Sequence, residues 1–289
     1  MCVTWGRSRM ADTRIFVGKA LHPVTGRIVH TLIYNNRVQN LEEEGNAMIL
    51  HLPTDEIQQG NLLDLTNARN LLEDMAYVDS DVLDFASSGS APVVFAVGSY
   101  HVVVARRACD IPEVLEQVPE QKRPRVNQPL LEWYDSNFGG GCFILACFDG
   151  KNEIAVEPFG VWYEPWQPDI LRIPLLDAHD GRPPTIGESV DRDHTVFVGD
   201  TDQELAACLD RLENRGSKEQ RGVVYKGRYF KAISYSDSLS PLLQGLLPKY
   251  ICEPRVEHPG PNADALVNVQ TWSVGSGLVK RSGLEYLTE

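Results

Sequence analysis

Gly139-Gly140-Gly141-Cys142-Phe143-Ile144-Leu145-Ala146-Cys147-Phe148-Asp149-Gly150 is the stretch on which the fold turns. Seven consecutive apolar residues stand between glycines on one side and Asp149-Gly150 on the other. A run this short, closed by turn residues, reads as a strand buried on both faces. Its alternation sends Phe143, Leu145 and Cys147 to one face and Ile144, Ala146 and Phe148 to the other. Such a strand needs an apolar layer above it and another below. It therefore marks the centre of the core.

Upstream, the pattern is also that of strands. Arg14 to Ala20 is an apolar run, His22-Pro23-Val24-Thr25-Gly26 is turn chemistry, and Arg27 to Tyr34 resumes with β-branched residues, which makes a hairpin. Ala47 to Leu52 is a third strand, closed by Pro53. Asn61 to Ala76 carries Leu62, Leu65, Ala68, Leu71, Leu72 and Met75 at helical spacing and is expected to be one helix. Asp79 to Ser90 is expected to be a loop. Val93 to Gly98 and Tyr100 to Ala105 are strands meeting at a glycine bend. Pro112 opens a short helix and Asn127 to Asn137 forms another.

Downstream, Pro158 to Pro184 is rich in proline and aromatic residues, with Ile170 to Ile173 as a strand inside it. Thr195 to Gly199 is a further strand, and Asp200 to Leu212 is expected to be a helix with acid at its positive end. Arg215 to Gly222 is a charged loop. The last part alternates weak strands with turns around one helical stretch, Leu239 to Leu247. Helices do not alternate regularly with strands, so the class is α+β, a mostly antiparallel sheet with a few short helices. The expected division is a core domain over residues 1–180 and a strand- and turn-rich part over 181–289, separate from the core or continuous with it.

Composition limits what the chain does. Of 289 residues, 43% are hydrophobic and 23% charged, an ordinary globular balance. Forty acidic side chains against 27 basic ones leave a net charge of −13. That charge repels phosphate backbones, so nucleic acid is not an expected partner. No apolar stretch is long enough to span a membrane as a helix. The start, Met1 to Arg9, lacks the basic-then-apolar pattern of a secretion signal. The six cysteines are scattered without a C-x-x-C pair, which reads as reduced thiols in a cytoplasmic setting or in a particle assembled in a reducing compartment.

Cys2, the hairpin with Ile28 to Tyr34, and the strand ending Leu50-His51-Leu52-Pro53 resemble an uncharacterised bacterial domain family. Its members have a cysteine-bearing start, a two-stranded opening and a strand that ends in a proline-containing turn. Gly98 to Ala105, Asp110-Ile111-Pro112, Leu130 to Tyr134, Phe143 to Ala146 and Ile173-Pro174-Leu175 follow in the same order. The likeness covers residues 1–180. It implies an architecture and no catalytic residues, because the family has no assigned activity.

Three groups of residues invite a chemical reading. Loss of Met1 would leave Cys2 with a thiol and a free amine able to act as its base, as in N-terminal-nucleophile amidohydrolases, with Arg14, Asn35 and Asn36 as positioning groups. The stretches Asp177 to Gly181 and Asp191 to His194 offer His179, Asp180, Asp193 and His194 as ligands for a divalent cation. The same residues are ordinary turn formers. Trp162, Tyr163 and Trp166, set among prolines, form a stiff amphipathic segment suited to partner contact, or one folded back on the core.

Nucleophile-elbow, H-E-x-x-H, P-loop and dinucleotide signatures are missing, and Gly139-Gly140-Gly141 precedes a strand where a phosphate loop would open a helix. The leading expectation is a non-catalytic subunit of a larger assembly, such as a virion or another particle, that binds a protein partner or its own kind and needs no cofactor. A cysteine amidohydrolase and a metal-dependent enzyme are the alternatives.

Overall fold

The computed structural model describes residues 3–65, 70–76, 94–151, 154–155, 157–200, 229–230, 241–247, 250–252, 260–269, 273–280 and 283–286. Cys2, the loop expected at 79–90, the helix expected at 200–212 (Asp200 apart) and the charged loop at 215–222 lie outside these residues.

The run Cys142–Phe148 is strand β8, with all seven residues buried. It sits between β4 (Asn46–Leu52) and β7 (Tyr100–Ala105) in a five-stranded antiparallel sheet completed by β1 (Val3–Thr4) and β6 (Val94–Val97). β6 and β7 turn at Gly98, whose φ of 53° is the conformation a glycine takes without cost. The hairpin is longer than the sequence suggests, with β2 (Ser8–Leu21) and β3 (Ile28–Asn40) paired along nearly their full length. These two strands lie inside a second sheet. β3 is flanked by β10 (Phe159–Tyr163), and β2 pairs in parallel with β13 (Thr195–Asp200). A bulge between Ala11 and Arg14 places Asp12 at φ 53°. The Asp12 amide donates to Asp193 there at 2.8 Å.

The layers explain the two-sided burial. Ile144, Ala146 and Phe148 face Ile15, Val17, Leu32 and Tyr34 of the hairpin sheet in the principal core. Phe143, Leu145 and Cys147 face the other way, against Leu115 of helix α2 (Pro112–Leu115) and Leu130, Leu131 and Tyr134 of α3 (Gln128–Asn137). Asn127 caps α3, its side chain accepting from the Leu130 amide at 3.2 Å. On the outer face of the hairpin sheet, Phe16, Val29, Ile33 and Phe197 meet Leu71, Leu72 and Met75 of α1 (Leu71–Ala76) and Leu246 of α4 (Pro241–Leu246). The order is helix, sheet, sheet, helix. Strands on both sides of residue 180 contribute: β11 (Ile170–Ile173) pairs antiparallel with β17 (Asp264–Asn268).

One expected element is replaced. Leu62–Asp64 is strand β5, paired antiparallel with β10, and among the described residues of the expected Asn61–Ala76 helix the α-helical ones are Leu71–Ala76. The edge of β10 offers unpaired backbone groups, and satisfying them outweighs helical spacing. Gly160 opposite Leu63 permits the approach, since a Cβ there would lie 2.9 Å from the Leu63 Cβ.

Candidate functional site

Among the described residues, two of the regions that depart from the rule of apolar inside and charged outside bear on function. The first is a buried charged junction. Arg172 on β11 and Asp264 on β17 form an ion pair with side-chain exposures of 3% and 0%. Arg172 Nε donates to Asp264 Oδ2 at 2.6 Å. The other Asp264 oxygen accepts the Leu175 amide at 2.8 Å and the Leu176 amide at 3.3 Å. Arg172 Nη1 reaches the carbonyl and Nδ1 of His51 on β4, and His51 Nε2 meets the Gly140 carbonyl at 2.7 Å. The guanidinium also lies 5.1 Å from the centre of the Phe138 ring. Burial, with Arg172 beside it, holds His51 neutral, its pKa well below the usual imidazole range. Its partners satisfy it within the core, so it is an internal tie and not a binding site. Gly141, at φ 99°, fits only because it has no side chain: a Cβ would meet His51 Nε2 at 2.4 Å and the Leu52 carbonyl at 2.6 Å.

The second region is the turn between β2 and β3, residues 22–27. The His22 amide donates to the Arg27 carbonyl and the Gly26 amide to the His22 carbonyl, both at 2.8 Å. Gly26 takes φ 66°, which its lack of a side chain allows. His22 Nδ1 accepts from the amides of Val24 at 3.3 Å and Thr25 at 3.2 Å. The His22 ring packs on Trp162 with centroids 4.6 Å apart, and the Trp162 indole donates to the Gly60 carbonyl at 2.9 Å. Arg27 bridges to Glu164 at 3.0 Å. Pro23 lies against Gly245 of α4, so close that a Cβ there would sit 3.0 Å from its ring. On this fixed turn Val24 is 85% exposed, and Leu21, the last residue of β2, is 58% exposed.

The aromatic segment divides. Trp162 and Trp166 are half-buried at the surface. The Trp166 indole donates to Asp55 at 3.1 Å and its amide to the Pro53 carbonyl at 2.9 Å. Tyr163 departs from the expected contact role: it is 3% exposed in the principal core, because β10 alternates and turns it inward. Burial pushes its phenol pKa up. Leu21 and Val24 were missed by sequence reasoning, which took the turn as connection alone. The available signal was a valine set between Pro23 and Thr25-Gly26, where polar residues are usual.

The other candidates are placed as follows. Arg14 and Asn35 are direct cross-strand partners on β2 and β3, and Arg14 pairs with Glu73 at 2.9 Å. Cys2 lies outside the described residues. His179 meets Asp177 at 2.9 Å, and although burial opposes it, this bond holds the Asp177 carboxyl below the usual range. Asp180 pairs with Arg182 at 2.5 Å, and His194 lies 3.4 Å from Asp193. Among the described residues no group of three or more His, Cys, Asp or Glu side chains converges as a metal site. Cys109, Cys142 and Cys147 are free thiols. A hydrogen bond to Asp135 raises the Cys109 pKa to about 11, and burial raises Cys142 to about 11 and Cys147 to about 12, so all three stay protonated. No helix is long and apolar enough to cross a membrane, among the described residues.

Two adjoining clefts share Glu43 and Glu44. One, of about 280 Å³, is lined by Trp5, Leu41, Pro124 and Arg125 among others. The other, of about 660 Å³, is lined by Glu120, Gln121, Asp149 and Lys151 among others.

No family model and no curated protein matches the chain. Among the solved structures similar to it are two that match over most of their length. One is the crystal structure of baculovirus P35, at 9% identity and a TM-score of 0.39, covering 94% of this chain and 93% of that one. The other is a mutated baculovirus P35 after caspase cleavage, at 11% identity and a TM-score of 0.41, covering 91% and 92%.

Proposed function

We propose that this chain is a non-catalytic protein-contact subunit whose contact surface is the β2–β3 turn with Trp162 beside it. One observation carries the reading: Val24, 85% exposed, stands on a turn whose backbone is already fixed, and Leu21, 58% exposed, stands on the strand end beside it. Single exposed apolar residues are common and need no explanation. Here two of them stand on an ordered turn and the strand end that leads into it, with a half-exposed indole, and Arg27 and Glu164 beside them neutralise each other. A surface already ordered before binding loses little conformational entropy when it docks, which favours contact energetically. Trp162 adds a large ring with few rotamers to lose. The partner is a protein with a concave apolar surface, on another molecule or on a second copy, within a larger assembly.

The test combines sedimentation of the whole chain with photo-crosslinking from a benzoylphenylalanine at position 24 in the source cells. A self-complex or a discrete adduct that disappears in Leu21→Asp/Val24→Asp supports the reading. A self-complex or adduct pattern unaffected by that variant, or neither species at all, removes it.

A further inference from the structure

We propose that the two clefts meeting at Glu43 and Glu44 form a second docking site, for an extended segment of another protein in which an apolar side chain stands between lysines or arginines. Among the described residues, the large apolar side chains left exposed are Leu21, Val24, Leu41 and Val126. The first two belong to the β2–β3 turn and the strand end beside it. Leu41 follows the far end of β3, 13 residues from the turn, which is about 40 Å at about 3.3 Å per residue. It is 40% exposed and lines the smaller cleft with Trp5 and Pro124. Val126, 55% exposed, comes next in the chain after Arg125 of the same cleft. A concave site of about 280 Å³ has room for an aliphatic side chain, whose burial there is favourable.

The site is held in shape before anything docks. The buried Asn40 side chain accepts the Glu42 amide at 3.0 Å and donates to the Glu44 carbonyl at 2.7 Å. Gly45 sits so close to the Lys122 carbonyl that a Cβ there would overlap it. The Trp5 indole donates to the Arg125 carbonyl. Arg7 engages Glu42 at 3.1 Å, and Arg125 grips both oxygens of Glu44 at 2.7 and 2.6 Å. Those two carboxylates are satisfied within the chain. Glu43 between them, and Glu120 and Asp149 of the larger cleft, enter no ion pair among the described residues, and Lys151 is the basic residue in that lining. A cleft with apolar walls that opens beside unpaired carboxylates selects its occupant by charge, favouring basic residues on either side of an apolar one. A second copy of this chain does not fit that description. It carries a net charge of −13, and its basic run Lys122-Arg123-Pro124-Arg125 already supplies part of the cleft wall.

The experiment is fluorescence anisotropy on the whole chain with a labelled peptide, Gly-Lys-Arg-Leu-Arg-Lys-Gly, as the probe. Binding should be saturable and should weaken at least about fivefold when glycine replaces the leucine of the peptide. Glu43→Lys/Asp149→Lys should weaken it at least about tenfold. Glu56→Lys/Glu188→Lys makes the same change of charge at exposed positions that line neither cleft, and should leave binding within about twofold. Equal binding of the leucine and glycine peptides overturns the site, because charge alone would then account for it. Equal weakening by the two double variants overturns it too, as does a leucine peptide that does not bind the unaltered chain. Should the cleft variant fail to fold, amide shifts in the unaltered chain decide: movement at Leu41, Glu43 and Arg125 on adding the peptide supports the site, and movement confined to other residues removes it. None of these readouts involves Leu21 or Val24, so the cleft and the turn stand or fail separately.

Discussion

The buried junction and the β2–β3 turn are opposites. At the junction, Arg172 and Asp264 carry full charges where less than a twentieth of either side chain meets solvent. At the turn, Val24 and Leu21 hold apolar surface out in water. Both arrangements cost free energy, but they differ in who repays it. The junction is compensated inside the molecule, by the ion pair, two backbone amides, the His51 carbonyl and the Phe138 ring. The turn's backbone is satisfied in the same internal way, yet its exposed side chains gain nothing from the fold. Exposed polar groups need no such explanation, and buried charges explain themselves by their partners. Ordered apolar surface with no internal use is the feature on which the proposed protein contact rests.

That contrast predicts a graded set of effects. Asp264→Ala leaves the Arg172 charge buried and unpaired and should cost about 3–5 kcal/mol, read as a shift of the urea midpoint. A loss below ~1 kcal/mol would mean that water already reaches the guanidinium, and the junction would no longer contrast with the turn. Phe143→Ala, which opens a cavity between β8 and the helices α2 and α3, belongs to the same range of about 3–5 kcal/mol.

Acid is the next probe. Burial, partly offset by the bond to the Pro168 carbonyl, lowers the His30 pKa to about 4. An unfolded imidazole binds its proton near pH 6.5, so between pH 6.5 and about 4 the unfolded chain holds a proton that the folded chain refuses. Stability is therefore full above pH 6.5 and falls as the pH drops toward 4, by about 3 kcal/mol from His30. His51 acts in the same direction. Denaturant midpoints across this range should decline, and His30→Gln should make the decline shallower. A flat profile would show that water hydrates these rings in the folded state.

Smaller effects belong to the turn. Trp162→Phe keeps a ring against His22 and loses the bond to the Gly60 carbonyl, about 1 kcal/mol by thermal or urea unfolding. Val24→Asp should change stability by less than about 0.5 kcal/mol, because nothing in the fold uses that side chain. If Val24→Asp unfolds the chain as strongly as Asp264→Ala does, the turn is a structural element and the comparison collapses.

Legibility in the sequence follows the range of the interaction concerned. The alternation of Cys142–Phe148 is a local period, and the structure sends its two sets of side chains into different layers as that period requires. Asn127 at the start of α3 and Gly98 at the bend before β7 act through their own backbone, and local signals found them. Leu62–Asp64 was read as helix because its pairing partner, β10, lies about a hundred residues away and leaves no trace in local spacing. Arg172 stood in plain view as a lone charge within Ile170-Leu171-Arg172-Ile173. Its partner Asp264 could be found only once β11 and β17 had paired. Exposure is equally non-local: Val24 looks like any apolar residue until the fold leaves it uncovered.

The central claim is that the β2–β3 turn touches another protein, and photo-crosslinking is its most direct test. A benzoylphenylalanine at position 24 is compared in the source cells with one at position 116, where the Glu116 side chain is 82% exposed but polar. The account predicts a discrete adduct of fixed mass from position 24, absent from position 116 and lost when Leu21 is replaced by Asp. Adducts of equal yield and equal variety from both positions would contradict it.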